Sequence, residues 1–235
     1  MIRIAHRGID CKYPENSLEN LELAFQSDCD AVEIDLRSTK DGQLFIHHDG
    51  VWHKNGRFIF AKDETWDMIN SPECAPQKNN IFGKIPTFTE VYSLFKQSNK
   101  SLFLEIKSHF GSLKTIDLLL EFFKGKSTKN IFISSFSLPY LRRFDAERQD
   151  FVMAKIGEKF YCKNLEKTDD FVSQIHFKGN LLNEKRMDCF HRRGWDVFAW
   201  TINEKEEFQR MENLGVKGIF TDNLDGLNQY LRGKK

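Results

Sequence analysis

Along nearly the whole chain, short apolar runs of β character alternate with longer stretches whose apolar residues recur at helical spacing. The runs predict strands over 2–6, 31–36, 102–107, 131–135, 151–156, 174–177, 197–201 and 218–221. Between them, Leu18, Leu21 and Phe25, then Phe88, Val91, Tyr92 and Phe95, then Leu224, Leu227 and Leu231 mark buried helix faces. Strand and helix in alternation is the pattern of parallel α/β architecture. Gly194 and Gly215 each follow a helical stretch and precede a strand, as left-handed C-terminal caps do. Asn16 with Glu19 predicts a capping box opening the first helix.

Two stretches break the alternation. Residues 44–48 are a second extended run too close behind 31–36 to permit a crossover helix, so a hairpin turning at Asp41-Gly42 is predicted. Residues 50–86, with Pro72, Pro76 and the aromatics Trp52, Phe58, Phe60, Trp66 and Phe82, are long for a loop. They are expected to form a small insertion over one end of a single domain spanning 1–235.

Composition narrows the classes of function. With Lys+Arg 35 against Asp+Glu 34, the chain lacks the basic footprint a nucleic-acid binder needs, and no such partner is expected. Its apolar runs fall short of the ~18 residues of a membrane span, so no transmembrane segment is predicted. A first strand beginning at Ile2 leaves no room for a secretory leader, and a cytoplasmic location is expected. Cys11, Cys29, Cys74, Cys162 and Cys189 are odd in number and form no Cys-x-x-Cys pair, which fits reduced thiols.

In parallel α/β folds ligands bind at the carboxyl ends of strands, and there the polar residues gather. The first strand ends in His6-Arg7-Gly8, the second carries Glu33 and Asp35, the hairpin return ends in His47-His48-Asp49, and the next strand carries Glu105 and Lys107. Residues two apart on a strand share a face. Three carboxylates converging from neighbouring strands repel one another, and the usual compensation is a hard divalent cation, Mg²⁺ or Ca²⁺. The plainer alternative, acids solvated on an outer face, is weakened by their alternation with Val32, Ile34 and Leu36. Lys107 either pairs with Glu105 or meets an anion bound beside the metal. A two-residue turn at Asp41-Gly42 sets Asp35 opposite His48, whereas a three-residue turn exchanges the two histidines; the pattern leaves that choice open. His6 and one of the pair would flank a metal-bound group, as general acid/base catalysis requires.

His6-Arg7-Gly8, Pro14-Glu15-Asn16-Ser17, Glu33-x-Asp35, Thr39-Lys40-Asp41-Gly42, His48-Asp49, Ile85-Pro86-Thr87, Glu105-x-Lys107, Ser135-Phe136, Trp200-Thr201-x-Asn203 and Thr221-Asp222 together resemble the glycerophosphodiester phosphodiesterase family, in order and over almost the whole chain. The resemblance implies a (β/α)₈ TIM barrel, with the hairpin as an extension of the second strand. It implies one divalent metal on Glu33, Asp35 and Glu105, His6 and His48 as the acid/base pair, and Arg7 and Lys107 on the phosphate. Glu15 and Asn16 take supporting positions, and Trp200 is either an aromatic wall beside the substrate or barrel packing. The implied reaction takes a small glycerophosphodiester to glycerol 3-phosphate and an alcohol, through a cyclic phosphate. Two alternatives keep the fold: a lysophospholipid or sphingolipid head-group phosphodiesterase, and a catalytically silent phosphodiester-binding barrel, against which the intact His6 and His48 argue. Setting the hairpin aside leaves about eight parallel strands, and Trp200 and Asp222 meet the early motifs only if the sheet closes. The chain departs from the family at Gly50-Val51-Trp52-His53-Lys54-Asn55, where an Arg-Thr-rich stretch is usual, and at Asn223, where proline commonly follows Thr-Asp.

Overall fold

The computed structural model describes residues 1–9, 12–147, 150–158 and 170–233. In chain order the elements are β1 (Ile2–His6), α1 (Leu18–Gln26), β2 (Ala31–Ser38), β3 (Leu44–Ile46), β4 (Val51–Lys54), β5 (Arg57–Phe60), α2 (Trp66–Ile69), β6 (Gln77–Lys78), β7 (Ile81–Phe82), α3 (Phe88–Gln97) and β8 (Ser101–Ile106). There follow α4 (Lys114–Phe122), β9 (Ile131–Ser135), α5 (Leu138–Glu147), β10 (Val152–Gly157), β11 (Val172–Lys178), α6 (Glu184–His191), β12 (Asp196–Trp200), α7 (Lys205–Asn213), β13 (Gly218–Thr221) and α8 (Leu224–Arg232).

Pairing runs β1-β13-β12-β11-β10-β9-β8-β2, and β1 also pairs with β2, so eight parallel strands close into a barrel. The expected helix stripes face it: Leu21, Ala24 and Phe25 on α1, Phe88, Val91 and Phe95 on α3, and Leu224 and Leu227 on α8 are buried between helix and sheet. The barrel interior is filled by Ile4, Ala31, Phe103, Phe198 and Phe220, with Phe103 stacked on Phe132 at 4.5 Å. It is a packed plug that closes the floor of anything bound above it.

Gly194 and Gly215 cap helices at φ 71° and 75°. The capping box expected at Asn16 and Glu19 is not formed. Ser17 is the N-cap, accepting from the Asn20 amide, while Glu19 accepts from the Lys84 amide at 3.1 Å. Asn16 sits at φ 57° and sends Nδ2 to Asp35 Oδ2 at 2.7 Å, so a carboxylate across the barrel rim has drawn its side chain away from the helix. The box that does form, Thr87 with Glu90, opens α3.

The hairpin register also differs from a two-residue Asp41-Gly42 turn. Leu36, Arg37 and Ser38 of β2 face Ile46, Phe45 and Leu44 of β3, and His47 N donates to Asp35 O at 2.9 Å, so His47 rather than His48 stands opposite Asp35. The cause is the loop 39–43. Thr39 Oγ1 accepts from Gln43 N at 2.9 Å and donates to the Asp41 carboxylate at 2.5 Å, and that carboxylate accepts from Trp66 N at 3.1 Å. Asp41 is thereby committed to the chain entering α2.

Within 50–86, β4–β5 and β6–β7 are hairpins whose turns, Asn55-Gly56 and Asn79-Asn80, all have positive φ as type I′ turns demand. Ile59, Ala61, Ile69, Cys74 and Ile85 pack with Phe45 into a small core of their own, edged by Trp52 and Trp66. Cys29, Cys74 and Cys189 are buried; Cys11 and Cys162 lie outside the described residues. Among the described residues no helix is long and apolar enough to cross a membrane.

Candidate active site

β1 ends in a left-handed turn, with Arg7 at φ 61° and Gly8 at φ 124°. A Cβ on Gly8 would overlap the side chain of Asn20, whose Oδ1 accepts from Ile9 N at 2.8 Å, so only glycine lets α1 lock this turn. The turn aims Arg7 along the barrel rim: Nε lies 2.9 Å from Asp35 Oδ2, and Nη1 donates to Glu15 Oε1 at 3.0 Å. Glu15 itself is exposed.

β2 and β8 are adjacent, with Asp35 registered against Glu105, and Glu33 shares their face. All three are buried, and each offers one carboxylate oxygen within 4.8 Å of the others. Lys107 Nζ lies 2.7 Å from Glu105 Oε1 and 3.2 Å from Asp35 Oδ1. Burial pushes the Asp35 carboxyl up, but Arg7 and Lys107 outweigh it and hold the group well below the usual carboxylate range. For Glu33, burial and then the charge of Asp35 push well upward against Arg7; for Glu105 the same two causes prevail over Lys107. Glu33 Oε2 is buried without a hydrogen-bond partner, its nearest cationic candidate being His6 Nε2 at 4.0 Å. An all-oxygen donor set with an orphaned carboxylate oxygen fits a hard divalent cation.

His6 and His48 line one cavity of about 190 Å³ together with Arg7, Glu33, Glu105 and Lys107. The His6 ring is oriented through Nδ1, 2.7 Å from Asp222 Oδ1. Asp222 follows β13, and it is fixed in turn: its Oδ2 accepts from Asn203 Nδ2 at 3.0 Å and its amide donates to Asn203 Oδ1 at 2.9 Å. Burial opposes the charge on Asp222, yet the bond to His6 holds its carboxyl below the ordinary value. His48 Nδ1 lies 2.9 Å from Asp49 Oδ1, the same arrangement on the other side. The His47 ring instead packs on Trp52 at 4.8 Å, and burial depresses its pKa. β3 ends at Ile46, so strand alternation no longer governs the two rings, and His48 reaches the cavity although His47 holds the register position opposite Asp35.

Trp200 lines the cavity with Phe136, and its Nε1 donates to His176 O at 3.0 Å inside the barrel. Sequence reasoning brought Asp222 to the early motifs through closure but gave it no bond to His6, and it missed Asn203, which fixes Asp222 in turn. It also missed Arg37, although the same-face spacing of Glu33 and Asp35 extends to it.

Two oriented imidazoles, two cations and a carboxylate cluster around one small cavity suit a phosphodiester, whose anionic oxygens need positive charge and whose leaving oxygen needs a proton. The profile of the glycerophosphoryl diester phosphodiesterase family matches residues 6–226. A glycerophosphodiester phosphodiesterase of Caldanaerobacter subterraneus is 30% identical over 240 residues, covering 97% of each chain. The fold is that of an Oleispira antarctica phosphodiesterase solved in complex with the product sn-glycerol-3-phosphate (TM-score 0.83, 22% identity, 99% of this chain and 97% of that one). A Parabacteroides distasonis glycerophosphodiester phosphodiesterase superposes as well (TM-score 0.82, 22% identity, 99% and 97%). With a profile match over nearly its full length and a barrel that gathers the motif residues at one end, the chain is an enzyme of the glycerophosphoryl diester phosphodiesterase family.

Proposed function

We propose that this protein cleaves small glycerophosphodiesters to glycerol 3-phosphate and an alcohol by metal-assisted histidine acid/base catalysis. The observation that carries the reading is the pair His6 and His48, each with an aspartate on Nδ1 and both lining the cavity that holds the carboxylate cluster. Glu33, Asp35 and Glu105 would hold Mg²⁺ or Ca²⁺, which supplies Lewis-acid polarisation of a phosphoryl oxygen. Arg7 and Lys107 bind the remaining anionic oxygens and stabilise the charge that develops on them. One histidine takes the proton from the glycerol hydroxyl next to the phosphate, and that oxygen attacks phosphorus. The bond from phosphorus to the alcohol breaks as the other histidine protonates the departing oxygen, leaving a cyclic phosphate. Water then opens the ring with the two roles exchanged. Asp222 and Asp49 keep each ring in the tautomer that leaves Nε2 for this work.

The test is release of glycerol 3-phosphate from glycerophosphocholine, set beside an analogue whose neighbouring hydroxyl is replaced by hydrogen. Cleavage of the first alone supports the cyclic route; equal cleavage of both overturns it, and no release from either overturns the substrate class. A second reading, a lysophospholipid head-group phosphodiesterase, is favoured by one observation. A further cavity sharing His48, Glu105, Lys107 and Phe136 opens beside the site, and Phe110 and Phe136, which line it, are exposed at 41% and 42%. Choline released faster from a lysophosphatidylcholine than from glycerophosphocholine would select that reading.

A further inference from the structure

Beyond the bond from His47 N to Asp35 O the chain leaves β2, and the backbone that carries His48 has to be held by something else. Arg37 is buried at 4% exposure on the same face of β2 as Asp35, and its fork is spent on backbone oxygens. Nε donates to His47 O at 3.2 Å and to His48 O at 3.1 Å, Nη2 to His48 O at 2.6 Å, and Nη1 to His109 O at 2.9 Å. A buried guanidinium is tolerated only when its donors are satisfied, and its planar fork fixes what it binds in direction as well as distance. Gly50 is part of the same device, because a Cβ there would collide with the guanidinium and come within 3.1 Å of Phe110 Cβ. That requirement accounts for glycine at the point where the chain departs from the family pattern.

We infer that Arg37 is a positioning residue that holds His48 at the reacting phosphate by clamping its carbonyl to the His109 loop, in a space kept open by Gly50. The inference rests on the reading of His48 as an acid/base group. Loss of the fork frees the His47–Asp49 segment and misplaces the ring, and misplacement of about 1 Å is enough to cost ~10²-fold in rate. A lysine places one point charge where three carbonyls are spanned, so it does not substitute.

The experiment measures kcat and KM for glycerophosphocholine with saturating divalent metal in Arg37→Met, Arg37→Lys, Gly50→Ala, His48→Ala and the Arg37→Met/His48→Ala pair, alongside thermal melting. The expected result is a kcat lowered roughly 10²-fold in Arg37→Met and Arg37→Lys with little change in KM, a smaller loss in Gly50→Ala, and partial recovery of Arg37→Met on adding guanidinium ion. In the His48→Ala background Arg37→Met adds no further loss, since the group it positions is gone. If Arg37→Met does not fold, Arg37→Lys and Gly50→Ala carry the test. Folded Arg37 variants with wild-type kcat overturn the inference, as does an undiminished further loss on top of His48→Ala. Full activity in His48→Ala overturns instead the acid/base assignment beneath it.

Discussion

His47 and His48 share a peptide bond yet meet different surroundings, one ring against Trp52 and the other beside the carboxylate cluster. His48→Ala is therefore expected to lose ~10²–10⁴-fold in kcat. His47→Ala should keep most of its activity and lose about 1 kcal/mol of stability through the broken ring contact, read by paired kinetics and denaturant melts. Equal losses of rate would place both rings in the reaction. Asp222→Asn leaves the His6 ring without its anionic partner, and kcat should fall roughly 10²-fold with metal affinity intact, a split that activity and metal titration together resolve. Spacing and residue type were enough to single out His6, Glu33, Asp35, Glu105 and Lys107, because their strands carry them on one face. Arg37 was harder to read, since its partners are backbone carbonyls, which no side-chain pattern announces.

At the scale of elements, β2 and β8 deliver three buried carboxylates to one point, and the cost of that crowding is set by strand register rather than by any single residue. Replacing Glu33 by Gln removes a charge that burial and Asp35 already disfavour. In metal-free protein Glu33→Gln should melt at or above the wild-type temperature, while added Mg²⁺ or Ca²⁺ raises the melting point of wild type much more than that of the variant. A Glu33→Gln protein that melts well below wild type without metal would mean the acid is structural. Chelation should abolish turnover in wild type and either divalent ion should restore it. The alternation of strands and helices was legible because each parallel unit is written locally in apolar spacing. The hairpin register was not, because Thr39 and Asp41 settle it through bonds that reach to Trp66, and the first helix start was misread because Asn16 answers to Asp35.

Across the whole molecule, the plug beneath the site includes His176, ringed by Phe103, Phe198 and Phe220, where burial pushes the imidazole down to about 3. Below its ordinary value of 6.5 the unfolded chain binds a proton that the folded ring refuses until about pH 3. This group's contribution is thus complete above pH 6.5 and declines on acidification between pH 6.5 and about 3. His176→Phe should flatten the fall in stability between pH 6.5 and 4.5 relative to wild type; parallel curves would show that the ring protonates in place. Closure of the barrel was foreseeable from eight strands and polar residues at both ends of the chain, but what closure accomplishes was not. The seam between β13 and β1 is where His6 from one strand acquires Asp222 from the other. On the proposed mechanism, catalysis is therefore a continuity test of the barrel's own perimeter: a molecule that unzips there keeps most of its helices and the strands of the carboxylate cluster but has no aligned His6. Turnover followed through a urea titration should vanish ahead of the far-ultraviolet signal, making the enzyme its own sensor for the first crack in the ring.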